Sequence, residues 1–499
     1  MRWRHAAVHT GIAVIGLVFA LTTEDVDRFY RWDEAVYASQ FSAVVEPAGW
    51  GPQRSPGMAY LVAPVTLLSD STFAVRLWLA TLGSMTCALG FWIWSCSIGI
   101  AGVAGHGLFI ASGLVVVYTT EIYPNIWLAY AGLITVGLAV GPWKSRRWMA
   151  ALAMAACVAG AFRPAEAFVV VAVAAIALFA ARRRDAVAPA FGTAIGYIVG
   201  VMPWVVRSFV SFGGPVDRLR GASNAAGPSG ELRLRDALLM LDNPYGGQAG
   251  DEMLAPAVVL WLGGILFAAC LAIFRTHSWK HPVTSALVAA LALASPFFFK
   301  ENPAPRFFLP TLALLCVAAG VGLVVRLPRR NVQVVAAIVI AVLAALQYTA
   351  YEGARYRDSL LRERLETAAA ALVEVTSDVV GDCSIITNQA VPQMERASGC
   401  VAFRRANPRE AVARGLHHEA LAAGHRIFAL ARSEDETPEG WTTHAFEVDF
   451  FNRSGAIWFI AEISLSPQRC DTSRTWQRGS PGGPGCVGTT GETPVSEWS

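Results

Sequence analysis

Apolar runs of membrane-spanning length recur from the N-terminus to about residue 350, and no other feature constrains this 499-residue chain as strongly. They fall near 6–22, 73–95, 100–118, 124–142, 148–161, 164–181, 188–208, 254–274, 282–299, 306–325 and 332–350. Roughly 20 helical residues cross a hydrocarbon core, and tilt or flanking residues absorb shortfalls. The pattern predicts a mainly α, polytopic membrane bundle of about eleven transmembrane helices over residues 1–352. Composition agrees, with 54% of residues hydrophobic and 15% charged, against roughly 25% charged in ordinary soluble domains. A net charge of +3 is too balanced to suggest a nucleic-acid partner. The opening "MRWRH" resembles a signal peptide, but no A-x-A site precedes "TTEDVD". An uncleaved first span is the expectation.

Lys and Arg fix the direction, because short cytoplasmic loops collect them. The basic connections "WKSRRW" (143–148), "ARRRD" (181–185), "FRTHSWKH" (274–281) and "RLPRRN" (326–331) fall at every second turn. All four go inside together with the N-terminus. That parity lays "MAYLVAPVTLLS" (58–69) along the outer surface, since about twelve helical residues rise only ~18 Å. The long loop 209–253 is then outside despite Arg218, Arg220, Arg233 and Arg235; long loops obey the rule less strictly. It carries a short amphipathic stretch, "ELRLRDALLML".

Charged residues from distant segments collect on that outer face. The first loop holds Asp33, Glu34, Tyr37 and Arg54; "TTEIYPN" holds Glu121 and Tyr123; "FRPAE" holds Arg163 and Glu166; "FKENPAPRFFLP" holds Lys300, Glu301 and Arg306. Ionisable groups at membrane depth cost on the order of 3 kcal/mol each and mark function. Together they suit an anionic, membrane-bound substrate. The ordinary structural alternatives are clear as well. Asp33 has the chemistry of an N-cap, with Glu34 favoured by the helix dipole, and Arg163 has that of a snorkelling cation. His106, alone in an apolar segment, reads as a hydrogen-bonded core histidine.

The order of these segments resembles the GT-C glycosyltransferases, a group that includes lipid A aminoarabinose transferases and protein O-mannosyltransferases. "DEAVYA" is similar to the family's D-E-x-x-Y-A, "RSPGMAYLVAPVTLL" to its interfacial helix, "FRPAEAF" to its R-P-E segment and "PRFFLP" to its R-Y-x-L-P segment. "EIYPN" sits where the family carries a second outer-face acid. "SPG" in place of a proline pair, and Glu121 in place of the commoner Asp, depart from the pattern. The resemblance covers roughly residues 1–350 and implies a polyprenyl-phosphate sugar donor and a glycan, lipid or protein acceptor. It implies Asp33 as general base in an inverting transfer, with Glu34 and Glu121 orienting the acceptor. Arg54, Arg163, Arg306 and Lys300 would hold the donor phosphate, and Tyr37, Tyr123, Glu166 and Glu301 would contact substrate. A divalent cation (Mg, Mn or Ca) held by Asp33 and Glu121 is compatible with this scheme.

After residue 350 the composition changes. "DCSIIT", "CVAF", "HRIFALA", "HAFEVDF" and "GAIWFIAEI" read as strands, and "NPREAVARGLHHEALAAG" as a helix. A small extracytoplasmic α/β domain over 353–465 is expected, with a Cys383–Cys400 disulfide and a second bridge between Cys470 and Cys486. Residues 466–499 read as a disordered tail. The chain is thus expected to be a multi-pass plasma-membrane protein with its N-terminus cytoplasmic. A transporter or flippase is the alternative. Transporters place ionisable groups near mid-membrane, often with repeats, and neither feature is seen in this sequence. An inactive glycan-binding scaffold is a third reading, in which Asp33 and Glu121 face no common cavity.

Overall fold

The computed structural model describes residues 2–24, 26, 30–43, 47, 50–69, 71–142, 145–226, 232–241, 256–276, 281–299, 304–324, 334–335, 338–348, 351, 367, 369–376, 383–387, 400–404, 426–431, 442–448 and 456–462. Lys300, Glu301, Cys470, Cys486 and the expected helix after residue 406 lie outside them. The bundle comprises α1 (Arg2–Thr23), α2 (Trp32–Ser39), α3 (Gly57–Thr66), α4 (Thr72–Ile98), α5 (Ile100–Ile110), α6 (Gly113–Thr120), α7 (Pro124–Val140), α8 (Arg146–Phe162) and α9 (Pro164–Arg182). It continues with α10 (Val187–Phe212), α11 (Pro215–Ala226), α12 (Leu234–Met240), α13 (Pro256–Thr276), α14 (Pro282–Phe298) and α15 (Leu309–Val324). A short 3-10 turn, Pro305–Phe308, leads into α15.

Each of the eleven apolar runs contains helix, but they are not equal spans. Among the described residues, six helices are long and apolar enough to cross a membrane alone. The run expected at 100–118 is instead two helices, α5 and α6, bent by 74°. Arg76, near the start of α4, donates to the carbonyl of Thr120 at the end of α6 at 3.2 Å. The α5–α6 pair therefore returns the chain to the level from which α4 began, so it crosses as one broken span. Stretches α7, α14 and Ile338–Tyr348 are shorter apolar helices. Pro64 sits inside α3, which spans only 10 residues, as expected for a segment that does not cross.

Two helices apolar all round form the centre, the pattern that full burial requires. In α15, 83% of the apolar window is buried, whereas in α10 it is 22%; α15 is core and α10 faces lipid. Every residue of α7 from Pro124 to Leu133 is buried. Close backbone approach fixes α10 on α8: a Cβ on Gly196 or Gly200 would lie 2.0 Å from the carbonyl oxygen of Ala153 or Cys157. Such small-x-x-x-small contacts drive helix association in lipid.

The C-terminal strands are β1 (Cys383–Thr387), β2 (Val401–Arg404), β3 (Arg426–Ala431), β4 (Thr442–Val448) and β5 (Ala456–Glu462). They form one sheet in the order β2-β1-β3-β5-β4. Strands β2, β1 and β3 are parallel, and β5 runs antiparallel to β3 and β4. Cys383 and Cys400 are disulfide-bonded. Cys87, Cys96, Cys157, Cys270 and Cys316 are not disulfide-bonded and lie in helices of the bundle.

Candidate active site

The site forms at one end of the bundle, where α1 ends, α2 begins, α4 begins, α6 meets α7, α8 meets α9 and the 305–308 turn starts α15. These are the connections expected to share a face. Tyr351, just beyond Ile338–Tyr348, donates to Glu24, just beyond α1. Tyr351 is therefore at this same end.

Helix α2 decides the fate of the two adjacent acids. Its N-cap is Arg31, not Asp33, and the Arg31 amide donates to Glu34 Oε2 at 2.9 Å. Consecutive helical residues are rotated by about 100°, so neighbours face different ways and residues four apart share a face. Asp33 and Tyr37 lie on one face and Glu34 points elsewhere. Asp33 is 29% exposed. Its Oδ1 accepts from Arg54 at 2.6 Å and its Oδ2 from Arg306 at 3.3 Å.

Around this carboxylate the other side chains are stacked. The Arg306 guanidinium lies 4.6 Å from the Tyr123 ring centre and 5.4 Å from that of Phe307. Arg163 lies 5.2 Å from the same Phe307 ring and pairs with Glu166. Tyr37 is buried, edge-on to Trp50. Burial pushes its hydroxyl up to about 12, aided by Asp33 and opposed by Arg54, Arg163 and Arg306. Tyr37 therefore stays neutral at ordinary pH and cannot serve as the base. Three guanidinium groups thus meet two carboxylates, an excess of positive charge suited to a phosphate.

Behind this layer lies a second, fully buried one. Glu34 and Arg76 are both 0% exposed. Arg76 contacts Glu34 Oε1 at 3.1 Å and Oε2 at 3.2 Å, a bidentate pair. The Ile122 amide adds a hydrogen bond to Oε1 at 3.1 Å. Glu121 is also 0% exposed, with Oε1 3.5 Å from Arg31 Nε. Asp33 is thus partly exposed while Glu121 and Glu34 are fully buried, a separation in the direction the scaffold reading expects, although both Asp33 and Glu121 lie close enough to act on Tyr123. Glu34 and Arg76 tie α2, α4 and the α6–α7 turn together.

Neither carboxylate expected to hold a cation is placed to do so. Asp33 is engaged by two guanidiniums and Glu121 is buried beside Arg31. Among the described residues no cluster of three or more His, Cys, Asp or Glu could hold a metal ion. These residues do not fit a divalent cation.

Arginines that sequence reasoning passed over hold the frame. Arg76 carried a usable signal, since it is a lone charge in a 27-residue apolar helix. Arg218, which counted against the topology, is buried. It donates to the Pro52 and Trp204 carbonyls at 3.1 and 3.0 Å and to the carbonyl of Arg54, and lies between Trp204 and Phe212. Burial, with Arg207 nearby, lowers its pKa to about 10, so it remains charged. It pins α11 and α10 onto the segment that carries Arg54. Gly57 sits where a Cβ would lie 2.6 Å from the Ala161 carbonyl, and Ser55 donates to that carbonyl at 2.9 Å. The start of α3 is thereby locked to the end of α8, two residues from Arg163. Beside it an apolar groove of about 890 Å³ runs between α3, α4, α7 and α8, from Phe162 and Trp127 to Arg147 and Trp148 at the other end of the bundle.

No protein-family model matches the chain, and no curated protein matches it. Solved structures do. ArnT from Cupriavidus metallidurans bound to undecaprenyl phosphate matches at TM-score 0.66 and 13% identity, over 92% of this chain and 98% of that one. The apo state of ArnT matches at 0.62 and 14%, over 91% and 97%. The arabinofuranosyltransferase AftD from mycobacteria matches at 0.53 and 12%, over 91% of this chain and 39% of its own. The chain has the fold of the GT-C glycosyltransferases, as its sequence resemblance implied.

Proposed function

We propose that this protein is a membrane glycosyltransferase that moves a sugar from a polyprenyl-phosphate donor to a hydroxyl acceptor on the extracytoplasmic face, with inversion. The observation that carries this reading is a partly exposed carboxylate, Asp33, set among Arg54, Arg163 and Arg306, with Phe162, the chain neighbour of Arg163, lining one end of an apolar groove. A polyprenyl tail suits the groove, which delivers the phosphate to the arginines. Arg147 at the far end of the groove, and Tyr351 beside Glu24 at the site end, support a cytoplasmic N-terminus and an extracytoplasmic C-terminal domain.

In the reaction Asp33 takes the proton of the acceptor hydroxyl as the oxygen attacks the anomeric carbon. The bond from that carbon to the phosphate oxygen breaks, and the polyprenyl phosphate leaves with the electron pair. A positioned base contributes about 10²–10⁴-fold. Guanidiniums aimed at the leaving phosphate stabilise the charge that develops there. Tyr37 and Tyr123 supply neutral, buried walls. Glu166 holds Arg163 in place, and Glu34 and Glu121 act through the backbone and the buried arginines.

Purified protein in proteoliposomes, incubated with a panel of polyprenyl-phosphate sugars, is expected to hydrolyse or transfer at least one. Failure to turn over or bind any of them overturns the reading. Because arginines do the work of charge neutralisation, dialysis against EDTA is expected to change turnover by less than about twofold; an obligatory metal supplies several kcal/mol and its removal would abolish the reaction.

A further inference from the structure

Asp33 and the donor phosphate need the same two arginines. In the ligand-free arrangement Arg54 and Arg306 both point their terminal nitrogens at Asp33. With each carboxylate oxygen already accepting from a guanidinium, Asp33 has little room left to receive a hydroxyl proton. Yet both arginines have somewhere else to go. Arg306 rests on the faces of Tyr123 and Phe307, over which a guanidinium slides without losing its cation–π contact. Arg54 has a buried Nε with no hydrogen-bond partner among the described residues, a spare donor on the same guanidinium. Arg163 has a similar spare Nε and already has Glu166 as partner.

We infer that Arg54 and Arg306 exchange between Asp33 and the lipid phosphate during each cycle, so that donor binding releases the base and base re-ionisation expels the product. This rests on the proposed transfer from a polyprenyl-phosphate donor. The donor phosphodiester arrives with one negative charge and draws at least one guanidinium away from Asp33. The freed carboxylate then accepts the proton of the incoming hydroxyl. After transfer Asp33 is protonated and neutral, and the product is a phosphomonoester carrying up to two negative charges. Loss of the proton from Asp33 to water restores its charge. The carboxylate then reclaims the arginines and the polyprenyl phosphate leaves. The arrangement makes binding ordered, with donor before acceptor.

The exchange has a counterintuitive consequence: the variant that cannot catalyse binds the product more tightly. With undecaprenyl phosphate as the probe, dissociation constants in nanodiscs are expected to fall about tenfold from wild type to Asp33→Asn, a change that keeps the side-chain shape. Simple relief of charge repulsion would act in the same direction, so the decisive measurement is a double-mutant cycle. In an Arg306→Gln background, which keeps two arginines for the phosphate, the gain from Asp33→Asn is expected to shrink to about threefold or less. A gain that is undiminished in that background, or an Asp33→Asn variant that binds no more tightly, overturns the exchange while leaving the transferase reading intact. Absence of undecaprenyl phosphate binding in both wild type and Asp33→Asn overturns the donor class and the exchange together.

Discussion

Asp33→Asn is expected to lower transfer by about 10³-fold while the protein still inserts and melts as the wild type does. The substitution removes the only charge on α2 that is both on the accessible face and engaged with the arginine cluster. It changes neither the length nor the branching of the side chain, and the amide oxygen still accepts from one of the two arginines that now bond separate oxygens of Asp33. Asp33 is 29% exposed, and partly exposed ion pairs contribute about 0–1 kcal/mol each; the folded state loses little. The measurement is turnover in proteoliposomes at matched protein, with thermal unfolding in detergent as the control for folding. Near-normal turnover would remove Asp33 from the chemistry. A contrasting change one residue along, Glu34→Gln, touches the buried brace instead, so its primary effect is expected on the melting temperature.

The bundle was legible because length and apolarity speak for themselves over windows of about 20 residues. The five strands were legible for a similar reason: short alternating runs bounded by turn residues. The bend between α5 and α6 was not, since the run from 100 to 118 is apolar apart from His106 and Ser112 and carries no proline. What breaks it lies at Ala111–Ser112, where α5 ends and α6 begins.

The site was legible in its membership more than in its layering. Topology alone gathers Asp33, Arg54, Tyr37, Tyr123, Arg163, Glu166 and Arg306 onto one face, because each sits where a helix ends or begins. It does not say which carboxylate reaches the open face. Asp33 is a better N-cap than Arg31 by residue preference, and the choice of Arg31 depends on Glu34 at the third helical position accepting the Arg31 amide. Shifting the cap by two residues turns Asp33 outward and Glu34 inward. Glu121 has no basic neighbour in sequence, and its Arg31 partner lies 90 positions away.

Removal of the buried guanidinium, Arg76→Ala, is expected to destabilise the protein by about 3–5 kcal/mol, the largest stability effect of any single change considered. Glu34 would keep its two amide donors, from Arg31 and Ile122, but a carboxylate at 0% exposure would have lost its counter-ion. Glu121, equally buried, lies close enough for its charge to be felt by Arg76, so the loss also weakens the positive field around a second carboxylate, which then has Arg31 to rely on. The Thr120 carbonyl also loses its donor, which loosens the end of α6 from the start of α4. Arg76→Lys retains the charge but not the two-pronged geometry and is expected to recover only part of the stability. The experiment is thermal unfolding of the purified variants in one detergent. A well-packed neutral replacement of both partners, Arg76→Met with Glu34→Leu, is expected to melt above Arg76→Ala, because replacing a buried pair costs far less than breaking it. That double variant is nonetheless expected to transfer poorly. Without Glu34, no side chain joins the Arg31 amide at the head of α2 to the Ile122 amide of the α6–α7 turn, and the face that presents Asp33 to Arg54 and Arg306 is no longer held in register with Tyr123. Recovery of stability without recovery of turnover would separate what the brace does for the fold from what it does for the site; a melting temperature for Arg76→Ala within a degree or so of wild type would show that the pair holds nothing.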